Sequence, residues 1–157
     1  MSPRTMLRAV VVMGGLAALT AAGCATTPKM SAGEAIEKRK ALMKEQGAAW
    51  RAIQDKAKAG QIAAIAPDAE KLAATSKQIP SLFPEGSLDP AKSAAKPEIW
   101  QKRADFDAAA KNMEALSVKL AAAAKANDTA ATQALVKDYG RLACGTCHQP
   151  FRVPPKQ

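Results

Sequence analysis

Two thiols and an imidazole stand together near the C-terminus, in Cys144-Gly145-Thr146-Cys147-His148. Cysteines three apart, followed at once by a histidine, form C-x-x-C-H, the spacing that attaches a c-type haem. On a helix, positions i, i+3 and i+4 share a face, so both sulfurs and the ring project to the same side. Thioether bonds from Cys144 and Cys147 to the haem vinyl groups would then leave His148 to reach the iron. Two rival chemistries use the same residue types. A thioredoxin-like dithiol needs a βαβ setting, and zinc needs four ligands. The chain has one histidine, and its third cysteine, Cys24, is distant in sequence. The pattern therefore implies one covalently bound haem c with its iron and no dithiol or zinc chemistry.

Attachment of this kind takes place outside the cytoplasm, and the N-terminus supplies a route there. Arg4 and Arg8 precede the apolar stretch 9–22, which is too short to span a membrane comfortably and has no stop-transfer flank. Residues 1–23 are thus expected to be a signal peptide for a periplasmic protein. Its end, Ala21-Ala22-Gly23-Cys24, resembles a bacterial lipobox, although Ala21 stands where such a motif prefers Leu. That resemblance implies that Cys24 is lipidated, becomes the first mature residue and anchors the chain to a membrane. The alternative is ordinary cleavage near Ala25, leaving a soluble form. Residues 24–30 read as a tether and 31–157 as the folded domain.

Composition fits a helical domain. Ala and Lys dominate, followed by Leu, with three Phe, two Trp and one Tyr. The formal charge is +9, and removal of Arg4 and Arg8 with the leader leaves +7. Such a surface suits acidic redox partners or anionic membrane. No basic cluster comes with interleaved aromatics or a nucleic-acid reading module, so nucleic acid is not an expected partner.

The elements that must position the motif follow from period and punctuation. Ser31 and Glu34 form a capping-box pattern that starts a first helix. Ile36, Met43, Trp50 and Ala57 recur every seven residues along it, widened by Leu42, Ala49 and Ile53, and Gly60 stops it. A second helix is expected from about Pro67 to Ile79, and turn chemistry fills 81–96. Pro97 opens a third helix with Ile99, Phe106, Met113 and Leu120 in heptad register and Ala109, Leu116 and Ala123 three further on. Asn127 and Asp128 end it and cap a fourth. This last helix carries Leu135, Val136, Tyr139, Leu142 and Ala143 towards the cysteines, with Pro154 and Pro155 closing it. Four amphipathic helices make an all-α, antiparallel four-helix bundle with the haem on the C-terminal helix. The small residues Ala109, Ala123 and Ala143 are expected to leave space inside.

A C-terminal C-x-x-C-H on the last helix of such a bundle resembles the class II cytochromes, comprising cytochrome c′ and its low-spin relatives. The resemblance spans roughly Ser31 to Arg152. It includes Arg39-Lys40-Ala41-Leu42-Met43, Lys96-Pro97-Glu98-Ile99-Trp100 and Phe151-Arg152. It implies that Met43 faces the distal side of the iron, that Arg39 approaches a haem propionate and that Arg152 lies near His148. From the heptad alone, Met43 could equally be core. The resemblance also implies possible pairing of two chains through their first helices, with Trp50 or Ile53 as contacts.

Two functions follow. With Met43 bound to iron opposite His148, the protein is a periplasmic electron-transfer cytochrome. With Met43 only packed there, an open iron face would bind nitric oxide or carbon monoxide. No enzyme is expected, because there is no second histidine, ordered acid/base pair or substrate motif. If Cys24 is lipidated, cells grown with labelled palmitate should yield labelled wild-type protein and unlabelled Cys24→Ala protein on immunoprecipitation.

Overall fold

The computed structural model describes residues 30–155. The signal peptide, Cys24 and all of the tether but Met30 lie outside the described residues. The helical segments are α1 (Ala32–Lys58), α2 (Ala66–Ser76), α3 (Glu98–Gln101), α4 (Arg103–Lys125), α5 (Thr129–Tyr139) and α6 (Thr146–Phe151). Single 3₁₀ turns occur at Ala63–Ile65 and Pro80–Leu82, and a π-helical stretch, Gly140–Gly145, joins α5 to α6. The four long elements, α1, α2, α4 and the joined α5–α6, form a four-helix bundle in which α2 packs on both α4 and α1. No strand occurs among the described residues, and none of their helices is long and apolar enough to cross a membrane.

Helix ends follow local chemistry. Ser31 Oγ accepts from Glu34 N at 3.2 Å, and the Glu34 carboxylate pairs with Lys38 while also drawing on the Ser31 backbone amide. Gly60, at φ +70°, ends α1 in the left-handed region that glycine tolerates best. Asp128 caps α5 by accepting from Ala131 N at 2.9 Å. Three boundaries differ from expectation. α2 stops at Ser76, not Ile79, and passes through a turn into the 3₁₀ segment at Pro80. The third helix is broken at Lys102 (φ −120°, ψ 50°), leaving α3 as one separate turn. The last helix ends at Phe151, before the two prolines, because Arg152 becomes extended and pairs with Ala95.

The buried stripe of α1 is Ala35, Arg39, Leu42, Gln46, Ala49 and Ile53, spaced alternately by four and three, with Ile36 buried beside it as expected. Met43, Trp50 and Ala57, expected at its centre, are half-buried flanks. The polar members explain the shift. Gln46 sits inside because its Nε2 donates to Thr75 Oγ1 at 3.2 Å, joining α1 to α2. Across α3 and α4 the heptad Ile99, Phe106, Met113 and Leu120 is buried as expected, but its companions are Ala110, Ser117 and Ala124. Leu116 and Ala123 are half-buried, whereas Ala109 is buried. The buried alanines let neighbouring helices approach closely. Ile53 is completely buried, so it is not available for contact with a second chain.

Ser117 Oγ donates to Met113 O (2.7 Å), so the only tyrosine, Tyr139, donates its hydroxyl proton to Ser117 (2.5 Å). Burial pushes the Tyr139 phenol up to about 12. Below about pH 10 both folded and unfolded chains keep this proton. Between about pH 10 and 12 only the unfolded chain releases it, so stability falls by about 2–3 kcal/mol as pH rises through that window. Tyr139→Phe should cost about 1 kcal/mol at neutral pH and flatten the alkaline decline. Urea unfolding at several alkaline pH values checks both effects.

Candidate haem site

The site is built where α1, the long connection 81–96 and α6 meet. Arg39, Met43, Cys147, His148 and Arg152 all line one cavity of about 500 Å³, within the range of pockets that hold cofactors. The free volume lies between α1, α3, α4 and α6, walled in part by the buried Ile99, Phe106 and Phe151. Phe83, Ile99, Phe106 and Phe151 form its apolar wall, with Phe106 set edge-on to Phe83 (4.9 Å) and Phe151 (5.3 Å). Four cations, Arg39, Lys40, Lys92 and Arg152, reach the same space, and among the described residues no carboxylate lines it.

Two anchors hold the connection over this cavity. At its start, Arg103 donates to Pro80 O (2.8 Å) and Phe83 O (2.9 Å), while Trp100 Nε1 donates to Pro84 O (3.0 Å). Arg39 then reaches Ser87 from α1: Nη1 donates to Ser87 Oγ (3.1 Å) and Nη2 to Ser87 O (2.9 Å). Its guanidinium lies 4.8 Å from the centre of the Phe83 ring. At the far end, Lys96 N donates to Phe151 O (3.0 Å) and Val153 N to Ala94 O (2.8 Å), tying the connection to the segment after α6.

The thiols are presented by a change in helix winding. Over Gly140–Gly145 the backbone takes the wider π-helical turn, and Leu142 O accepts from Asn112 Nδ2 (2.7 Å) and Thr146 Oγ1 (2.6 Å). Such turns are rare and concentrate at functional sites. Beyond it, Cys147 and Phe151 face inward one turn apart, with Cys144 half-buried against the core. Leu142, expected on the inner face, is exposed because the wide turn moves it outward. Burial raises the Cys144 thiol and, with Cys144 beside it, pushes Cys147 up to about 11. Both are protonated at neutral pH, unlike the thiolates of dithiol oxidoreductases. His148 is exposed on one side, and its partial burial lowers the imidazole below the ordinary value, with Arg152 adding to that. The neutral ring can therefore offer a lone pair to a metal. Among the described residues no three His, Cys, Asp or Glu side chains cluster to hold a metal ion by themselves.

These features fit haem. Cys147 stands on the cavity wall, Cys144 is half-buried three residues before it and does not line the cavity, the His148 imidazole follows, and four cations reach the same space. Arg39 Nε, buried and without a hydrogen-bond partner, adds an unused donor. The family model for cytochrome c′ matches residues 34–152. The chain belongs to the cytochrome c′ family. As in that family, it carries one covalent haem c. Cytochrome c′ of Pararhodospirillum photometricum is 36% identical over 120 residues, covering 74% of this chain and 94% of that protein. Cytochrome c-556 of Agrobacterium fabrum is 33% identical over 134 residues, covering 83% and 89%. A nitric oxide complex of a cytochrome c′ variant from Alcaligenes xylosoxidans superimposes with a TM-score of 0.70 at 26% identity, covering 80% of this chain and 98% of that one.

Sequence reasoning missed Lys40, Phe83 and Lys92 as cavity residues. Phe83 and Lys92 belong to a connection without a repeating period, and only the fold brings them to α1. Arg39 lines the cavity as the resemblance implied, but both of its terminal nitrogens are engaged by Ser87. Arg39→Ala should cost about 2–4 kcal/mol in the holoprotein, because it removes charged hydrogen bonds at a buried acceptor. Amide exchange should accelerate over residues 84–95 and stay unchanged in α4.

Proposed function

We propose that this protein is a periplasmic electron-transfer cytochrome in which Cys144 and Cys147 carry the haem and His148 and Met43 ligate its iron. The observation that carries this is that Met43 of α1 and His148 of α6, on different helices, line the same cavity. When bound, the haem supplies a one-electron ferric/ferrous couple, and a Met/His pair raises its potential. His148 offers a neutral imidazole, and Met43 offers a thioether that needs no deprotonation to act as a ligand. The Phe83, Phe106 and Phe151 wall would keep water from a haem held in the cavity, which limits reorganisation when one electron enters or leaves. Lys40, Lys92 and Arg152 have the charge to hold the propionates, and Arg39 adds its free Nε. The leader and Cys24 suggest a lipid-anchored protein outside the cytoplasm. The nitric oxide complex of the Alcaligenes relative favours a second function, gas binding at an iron face over which Met43 only packs.

Optical spectra of the ferric protein at neutral pH decide between them. Ligation by Met43 gives a low-spin spectrum with a sulfur-to-iron charge-transfer band. Met43→Ala should then convert it to high spin and accelerate carbon monoxide binding. Because Met43 is half-buried, the substitution should cost about 1–2 kcal/mol, below the range for fully buried methionines. A wild-type protein that is already high-spin and binds carbon monoxide freely would give first place to gas binding.

A further inference from the structure

The outer side of α1 carries a pattern of charge that the haem cavity uses only at one end. Positions 40, 44, 47, 51, 54 and 58 alternate in steps of four and three, which places them on one line along the helix. They read Lys40, Lys44, Gly47, Arg51, Gln54 and Lys58, four cations and two neutral residues without a carboxylate. All four cations are exposed, and the line runs about 27 Å at 1.5 Å per residue. Lys40 lines the haem cavity at one end. At the other, Gln54 and Lys58 share a shallow cleft with Lys137 of α5.

The row is not explained by internal pairing. Glu37 and Asp55 flank it, and Glu34 and Glu45 lie further around α1. Lys40 bonds Glu37 at 2.9 Å, while Glu34 pairs with Lys38 and Glu45 with Lys71, both off the row. Among the described residues Lys44, Arg51 and Lys58 form no ion pair. Lys40 and Lys44, four apart, repel each other, so the row weakens the helix that bears it. Two copies meeting along it would set like charge against like.

We propose that this row docks an acidic redox protein and brings that partner's electron to the cavity mouth beside Lys40. It rests on the electron-transfer reading above. A line of cations leading to the mouth steers an oppositely charged partner and fixes its orientation, an effect that salt removes. Met43 and Trp50 lie beside the row, so a partner seated on it covers the flank of α1 next to the cavity.

The test uses the holoprotein and a reduced, acidic plant-type ferredoxin as the probe. One electron leaves the ferredoxin cluster and turns the ferric haem ferrous, with no proton or atom transferred. In stopped-flow mixing the wild-type rate should fall at least about tenfold as ionic strength rises and screening shortens. The triple variant Lys44→Glu, Arg51→Glu, Lys58→Glu should be at least about tenfold slower at low salt, converge with wild type at high salt and keep its optical spectrum. Glutamine at all three positions should fall between, which serves if charge reversal disturbs folding. Reduction by hexaammineruthenium(II), a small cation, should not be slowed in either variant. Equal rates and equal salt dependence in wild type and variants overturn the docking proposal. So does loss of binding to vesicles rich in anionic lipid without loss of ferredoxin rate, which would assign the row to a membrane. If hexaammineruthenium(II) fails to reduce the wild-type haem, the electron-transfer function itself falls.

Discussion

A single buried cation decides the form of the haem pocket. Arg39 belongs to the inner stripe of α1, yet both its terminal nitrogens are spent on Ser87, 48 residues away in sequence. Through that contact, and with Phe83 under the guanidinium, an irregular connection becomes one wall of a cavity. Burial pushes the Arg39 guanidinium down, with Asp89 opposing, but such a group stays charged at any pH the protein meets. A permanent charge inside a small bundle is tolerated because both of its terminal nitrogens make directional hydrogen bonds to Ser87.

The same economy appears in the two turns of winding that differ from a regular helix. Lys102 interrupts α3–α4 so that Trp100 and Arg103 can both reach back to the 80–84 backbone. The π-helical stretch after Tyr139 exposes Leu142 and leaves Ala143 and Phe151 inside, with Cys147 half-buried between them. Each departure moves side chains that a straight helix would have aimed elsewhere. Stacking of Trp50 on Tyr139 at 4.8 Å supports the second departure from the α1 side.

Much of this was legible in residue order. C-x-x-C-H named the cofactor, caps and glycine marked α1, and the Ile99, Phe106, Met113 and Leu120 heptad gave the buried edge of α4. What period alone misplaced was the inner face of α1, because a hydrophobic count skips Arg39 and Gln46. Those residues are buried only through partners supplied by α2 and the 81–96 connection. Ser117 was passed over for the same reason, since its place inside depends on Tyr139. Lys92 and Phe83 had no signal, being set by a connection whose path is fixed by hydrogen bonds to its backbone.

The wide turn at Gly140–Gly145 has a consequence for how such a chain can change over generations. A π-turn is an α-helix holding one residue more than its winding needs. Losing any one residue there would let the helix tighten and swing everything after it by about 100°. Cys147 and His148 would turn away from α1, and the strand-like contact of Arg152 with Ala95 would part. Exposed positions such as Arg141 can be exchanged freely in kind. Their number cannot, so between Tyr139 and His148 inheritance must preserve length more strictly than identity.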